Sequence, residues 1–180
     1  MSAVPMSAVV EVGSVLDSLH GVWDEDEVDE LDHALQAADR AIKDGADDEL
    51  VLASALHDLA HSPLLAGTAA AHHDQIARDW LTPRFGERVG WLAGAHVAAK
   101  RYLTATDPDY AGTLSPISVL SLQHQGGAAV DATFVEHPWW PDALRLRRYD
   151  DAAKVSGASA ATIDDVLEVA GRVLRQRRSA

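Results

Sequence analysis

Glu49-Leu50-Val51-Leu52-Ala53-Ser54-Ala55-Leu56-His57-Asp58-Leu59-Ala60-His61 is apolar around most of a helical circumference, yet it ends in two imidazoles and a carboxylate. A helix that is apolar on every side belongs in an interior. The spacing predicts a central buried helix over Asp47–Ala60. Its start is marked by Asp47-Asp48-Glu49, since a helix N-terminus favours negative charge, and Ser62-Pro63 ends it. On such a helix the adjacent His57 and Asp58 diverge by about 100°, so they converge on one metal only in part. Asp58 can place one oxygen on each of two ions, which makes it a natural bridge. Imidazole and carboxylate together suit iron, manganese or zinc.

Outward from this run, helical periodicity predicts helices over Ala8–Leu19, Val28–Asp44, 70–81, 85–105, 115–124, 129–136, 140–152 and 162–178. Pro83, Pro108, Pro116, Pro138 and Pro141 mark joints between them. Strand signals are almost absent. The expected fold class is all-α: one helical bundle over 1–180 with a dinuclear metal site in its core, the metal-binding part covering about 23–154.

The other candidate ligands are His33, His73, His96 and Asp150. His33 lies among Leu31 and Leu35. His96 and Lys100 are one turn apart and share a face, which suits a metal-bound anion. Arg147 and Asp150 are three apart, placing a guanidinium suited to phosphate or phosphonate oxygens beside a ligand. The plainer reading of a single buried histidine is a hydrogen-bonded core residue, and His72 could take the place of His73. His20, His124 and His137 have no partner at useful spacing and read as structural or surface. The Asp24–Glu27 run reads as a solvated loop, Trp139-Trp140 as packing, and Arg145 and Arg148 as surface counterweights to the acids.

Composition narrows the function. The chain has 180 residues, 47% of them hydrophobic, which is enough for a real core. It has no cysteine, which removes disulfides, thiolate zinc sites and cysteine nucleophiles, and fits a cytoplasmic protein. Met1–Glu11 has no basic n-region, so no signal peptide is expected, and no apolar run is long enough to span a membrane. A net charge of −13 repels nucleic acid and anionic lipid, so an anionic substrate needs a local basic pocket. The expected partner is a small molecule; no nucleic acid, membrane or obligate protein partner is indicated.

The order His33…His57-Asp58…Asp150 resembles the signature of the HD-domain superfamily. With His73 and His96 added, the chain looks like its mixed-valent di-iron oxygenase branch, which includes myo-inositol oxygenase and the organophosphonate oxygenases. The stretches that carry the resemblance include Val28–Gln36, Leu56–His61, His73-Asp74, His96–Leu103, Ser118–Leu122, Gln125-Gly126-Gly127 and Arg147–Lys154. Lys100-Arg101-Tyr102-Leu103, Gln125-Gly126-Gly127 and the compact length are closer to the phosphonate-cleaving members.

The resemblance implies two iron ions, Fe(II) and Fe(III), with O2 as co-substrate. His33, His57, Asp58 and Asp150 would hold one ion, and Asp58, His73 and His96 the other. His61, Lys100, Ser118, Ser121 and Arg147 would line the substrate pocket, with His61 and Lys100 as its catalytic side chains. The implied reaction splits the C–P bond of a small 1-hydroxy phosphonate into phosphate and a carboxylic acid. Where an aminophosphonate-cleaving member has an iron-capping tyrosine and a substrate-binding glutamate, this chain has Trp23 and Asp26. Indole cannot ligate iron, but Trp23 could face a quaternary ammonium and Asp26 could pair with an ammonium. The expected substituent is therefore 2-amino or 2-trimethylammonio. Two other readings share the ligands: an HD-type metal-dependent phosphohydrolase acting on a nucleotide or phosphate monoester, and a catalytically silent metal-binding module.

Overall fold

The structure is a computed structural model that describes residues 4–24, 27–65 and 72–180, with side chains from Ala8 onward. Every regular element among these residues is helical. The α-helices are α1 (Val4–Ser18), α2 (Glu30–Lys43), α3 (Asp48–Leu56), α4 (His73–Phe85), α5 (Glu87–Gly94), α6 (His96–Thr106), α7 (Pro108–Thr113), α8 (Pro116–His124), α9 (Ala132–Val135), α10 (Trp140–Ala152) and α11 (Ile163–Ser179). Two 3₁₀ turns, Leu59–His61 and Pro63–Leu65, follow α3.

Caps legible in the sequence start these helices. Asp29, Asp47, Asp107, Ser115, Asp131 and Thr162 each accept a hydrogen bond from a free backbone N–H of the first turn. The all-round apolar run behaves as its pattern requires. Every residue from Leu50 to Leu56 is buried, and α2, α5, α10 and α11 pack around α3. Trp139 and Trp140 pack onto this core, as their sequence suggests.

The helix α4 turns into α5 at Gly86, whose φ of 104° favours glycine. The two helices then approach so closely that a Cβ on Gly90 would stand 2.0 Å from the Thr82 hydroxyl oxygen.

Several boundaries depart from the periodicity. The segment over 85–105 is two helices, broken at Ala95, whose φ and ψ of −90° and −6° end α5. Pro83 lies inside α4, not at a joint. The predicted start of that helix at 70 lies outside the described residues. The segment over 129–136 shrinks to the single turn of α9. Helix α7 was missed, although Asp107 with Pro108 is a cap followed by a proline at the first helical position. Most consequential, α3 stops at Leu56, short of Ala60, because Asp58 leaves helical geometry at φ −104° and ψ 19°.

Candidate metal centre

Two helix breaks aim two of the histidines. At the end of α3 the His57 Nδ1 donates to the Ser54 carbonyl at 2.7 Å. At the α5–α6 break the His96 Nδ1 donates to the Ala93 carbonyl at 2.6 Å. In both cases the ring folds back onto the carbonyl three residues earlier. On α2, the His33 Nδ1 donates to the Ala153 carbonyl, just beyond α10, at 2.9 Å. A carbonyl only accepts, so each Nδ1 carries the proton and each Nε2 turns a lone pair inward.

These lone pairs meet carboxylates. His33 and His57 bring their Nε2 atoms to 3.3 Å of each other. The Asp58 Oδ2 lies 3.4 Å from His33 Nε2 and 3.2 Å from His57 Nε2. The two Asp150 oxygens lie 3.3 Å from the first and 3.4 Å from the second. A second group forms on the other oxygen of the same aspartate. Asp58 Oδ1 is 3.5 Å from His73 Nε2 and 3.4 Å from His96 Nε2, and these nitrogens are 2.9 Å apart. Metal–ligand bonds of about 2.0–2.2 Å at tetrahedral or octahedral angles put neighbouring donors roughly 3.0–3.5 Å apart.

The donor chemistry fits a cation. In the first group four buried or half-buried acceptors converge and none is a natural donor. Burial alone would lower the His33 pKa, but hydrogen bonds with Asp150 and Asp58 hold it well above the usual imidazole value. Against the same burial, the charges of Asp58 and Asp150 push His57 up to about 10. A proton is what such a cluster takes up where no metal competes. Burial and the neighbouring His96 lower the His73 pKa.

The metal candidates therefore come together in one place: His33, His57, Asp58 and Asp150 in one group, and Asp58, His73 and His96 in the other. His73 takes part, while its neighbour His72 is exposed. His20 is exposed beside Asp29, and His137 stacks on Trp91 with ring centroids 4.0 Å apart. The early end of α3 lets His57 and Asp58 converge, where a continuous helix would have splayed them.

A cleft of about 120 Å³ opens beside the two groups, and His61, Lys100, Ser118, Ser121 and Arg147 all line it. Lys100 donates to the Ser121 hydroxyl at 2.6 Å. Lys100 is 4% exposed as a residue, and burial together with the charge of Arg147 brings its pKa down to about 8. Arg147 reaches the cleft already engaged, with Nη1 2.6 Å from Asp150 Oδ2 and Nε donating to Asp151 at 3.0 Å. Burial works against its charge, but those two carboxylates hold its pKa well above the usual guanidinium value.

Three cleft residues were missed in the sequence: Asp24, Gln125 and Lys154. Lys154 was readable as the continuation of the Arg147–Asp150 stripe, four residues on. Asp24 gives no signal within its acidic run. Asp26 lies outside the described residues. Trp23 is 63% exposed and lines a different surface hollow, beside His20 and Leu35, so it does not face the cleft. The chain bends away after Val22, whose carbonyl accepts from the Glu30 N–H at 2.8 Å, and this leaves Asp24 on the cleft side.

Among the described residues no helix is long and apolar enough to cross a membrane. No protein-family model matches the chain. It is 34% identical over 167 residues to hydroxymethylphosphonate dioxygenase of Gimesia maris, a match covering 87% of this chain and 83% of that protein. It is 30% identical over 159 residues to [1-hydroxy-2-(trimethylamino)ethyl]phosphonate dioxygenase (glycine-betaine-forming) of Leisingera caerulea, covering 79% of this chain and 81% of the relative. An uncharacterized protein of Acanthamoeba polyphaga mimivirus is 31% identical over 146 residues, covering 75% of this chain and 67% of that protein.

Proposed function

The chain belongs to the HD-type oxygenase family that includes these phosphonate dioxygenases, and from that premise we propose that it cleaves the C–P bond of a small 1-hydroxy phosphonate with O2 at two iron ions. The products would be inorganic phosphate and a carboxylic acid. The observation that carries this reading is Asp58, whose two oxygens each serve a separate group of donors beside a cleft walled by Lys100, Lys154 and Arg147.

In this reading His33, His57, Asp58 and Asp150 hold one ion, and Asp58, His73 and His96 the other. Bound there, the ions would supply Lewis-acid and redox chemistry. The chain's own side chains do the rest. Lys100 and Arg147 offset the charge of the phosphonate, and the Ser118 hydroxyl donates to its oxygens, while the Ser121 hydroxyl, which donates to the Ser118 carbonyl at 3.0 Å, lines the pocket beside them. Ser121 also orients Lys100. His61, on the rim, accepts the proton of the substrate hydroxyl. The small cleft limits the organic substituent. The 2-amino and 2-trimethylammonio forms stay in the proposal, although Trp23 no longer supports them.

The test is iron content together with O2 uptake and phosphate release on hydroxymethyl, 2-amino and 2-trimethylammonio phosphonates. Phosphate that appears only with iron and O2, about one per O2 consumed, is the expected result. Phosphate released from ordinary phosphate esters without O2 would overturn the reading and make the protein a phosphohydrolase.

Lys100 adds a pH signature. Its ammonium is charged below about pH 8 and is lost above it. kcat/KM, which reports the free enzyme, should therefore fall as pH rises through about 8, mainly through KM. In Lys100→Met this alkaline limb should vanish, with kcat/KM low and flat. An unchanged limb in that variant would assign the titration to another group.

A further inference from the structure

We propose that Asp24, Glu30 and His61 form a third, weaker divalent-metal site on the rim of the cleft, separate from the two ions; its binding does not depend on the reaction proposed above, while its inhibitory effect rests on that reading. One donor atom from each residue lies within 4.8 Å of the others. The pair His61 Nε2 and Asp24 Oδ2, at 3.9 Å, is close enough for one ion with bonds of about 2.0–2.2 Å to join. An imidazole and two carboxylates form a donor set for manganese, iron or zinc.

The observation that points to a ligand is Glu30. The residue is 2% exposed, and its Oε2 is buried with no hydrogen-bond partner. A buried carboxylate oxygen left unmatched is costly, and a cation shared with Asp24 and His61 would match it. Burial and the charge of Asp58 push the Glu30 pKa up to about 7. The backbone holds the donors in place. The Glu30 N–H donates to the Val22 carbonyl at 2.8 Å, and the Gly21 N–H donates to Asp29 Oδ2 at 2.8 Å, so the strand of chain carrying Asp24 is pinned to the start of α2. His61 sits in the 3₁₀ turn after Asp58, its N–H donating to the Asp58 carbonyl at 3.0 Å.

This site has a functional consequence. His61 and Asp24 both line the cleft, so an ion held here would occupy the imidazole that otherwise faces substrate. Excess divalent metal would then inhibit the loaded enzyme.

The experiment titrates holoenzyme, with its tightly held metal in place, with Mn²⁺, and follows free Mn²⁺ by electron paramagnetic resonance. Wild type should take up one more equivalent than Glu30→Gln, or bind it at least tenfold more tightly. Turnover, scaled to each protein's own rate without added Mn²⁺, should fall with excess Mn²⁺ in wild type and stay level in the variant. Asp24→Asn, altered on the exposed side of the site, should behave alike and guards against a folding defect in Glu30→Gln. Equal manganese uptake by wild type and both variants overturns the proposal. So does inhibition by ethylammonium chloride that depends on Glu30 while manganese uptake does not, which would make the rim a site for organic cations.

Discussion

Asp58→Ala should lower turnover on the order of 10³-fold or more, beyond the 10–100-fold that losing an outer partner of a metal ligand costs. Its metal content should drop from about two equivalents to one or fewer. The reason is geometric. Oδ2 stands 3.2–3.4 Å from the two imidazoles of one group, and Oδ1 3.4–3.5 Å from the two of the other. No other side chain among the described residues belongs to both groups. Removing the carboxylate would leave His73 and His96 alone on one side, a two-ligand site too poor to retain an ion through purification. The measurement is metal analysis alongside activity on the same preparation. An Asp58→Ala protein that keeps both equivalents and most of its activity would sink the shared-bridge reading. His96→Ala provides the contrast, because it should weaken one site and leave the four-donor group intact.

Arg147→Met should cost the metal-free protein about 3–5 kcal/mol, the usual penalty for stripping one partner from a buried ion pair. For a chain of this size that lowers Tm by about 6–20 °C. Arg147 lies buried between Asp150, also buried, and Asp151, whose other contact is the Tyr110 hydroxyl at 2.6 Å. Without the guanidinium both carboxylates lose their main counter-charge. A metal held by Asp150 supplies a replacement, so the loss in metal-loaded protein should be clearly smaller. Thermal melts of wild type and variant, each with and without metal, separate the cases. A drop equal in both states would mean that Asp150 does not bind the ion.

Much of the fold was legible because helix starts and buried faces are local properties. The acids and hydroxyls that cap α2, α3, α8 and α11 precede their helices in the sequence, and the all-round apolar run of α3 can lie only in the interior. Boundaries set by distant contacts were not legible. Near Ala95 only Gly94 marks the α5–α6 break locally, and one glycine does not say that the chain ends a helix there with the His96 ring folded onto the Ala93 carbonyl. The short α9 is similar: of the predicted 129–136 the start is lost, where the Ala129 N–H donates to the distant Arg101 carbonyl at 3.1 Å, and the helix begins only at Ala132.

The candidate donors and their order along the chain were legible in the sequence alone: His33, His57 with Asp58, His73, His96 and Asp150, on an apolar helical background that must be buried. Residue spacing along one helix also put Lys100 beside His96 and Arg147 beside Asp150. Only the tertiary structure decided how they converge. It ended α3 at Leu56, so that His57 and Asp58 turn toward one centre, and it gave each oxygen of Asp58 a different pair of histidines. It brought His73 and not His72 to the cluster, turned Trp23 away from the cleft, left Asp24 exposed on the cleft rim, and left an oxygen of Glu30 buried and unmatched. The physical reason is that helical periodicity specifies which face of a helix is buried. Which side chains from separate helices meet within 3–4 Å depends on where each helix stops, and that is settled by packing and by hydrogen bonds between residues far apart in the chain.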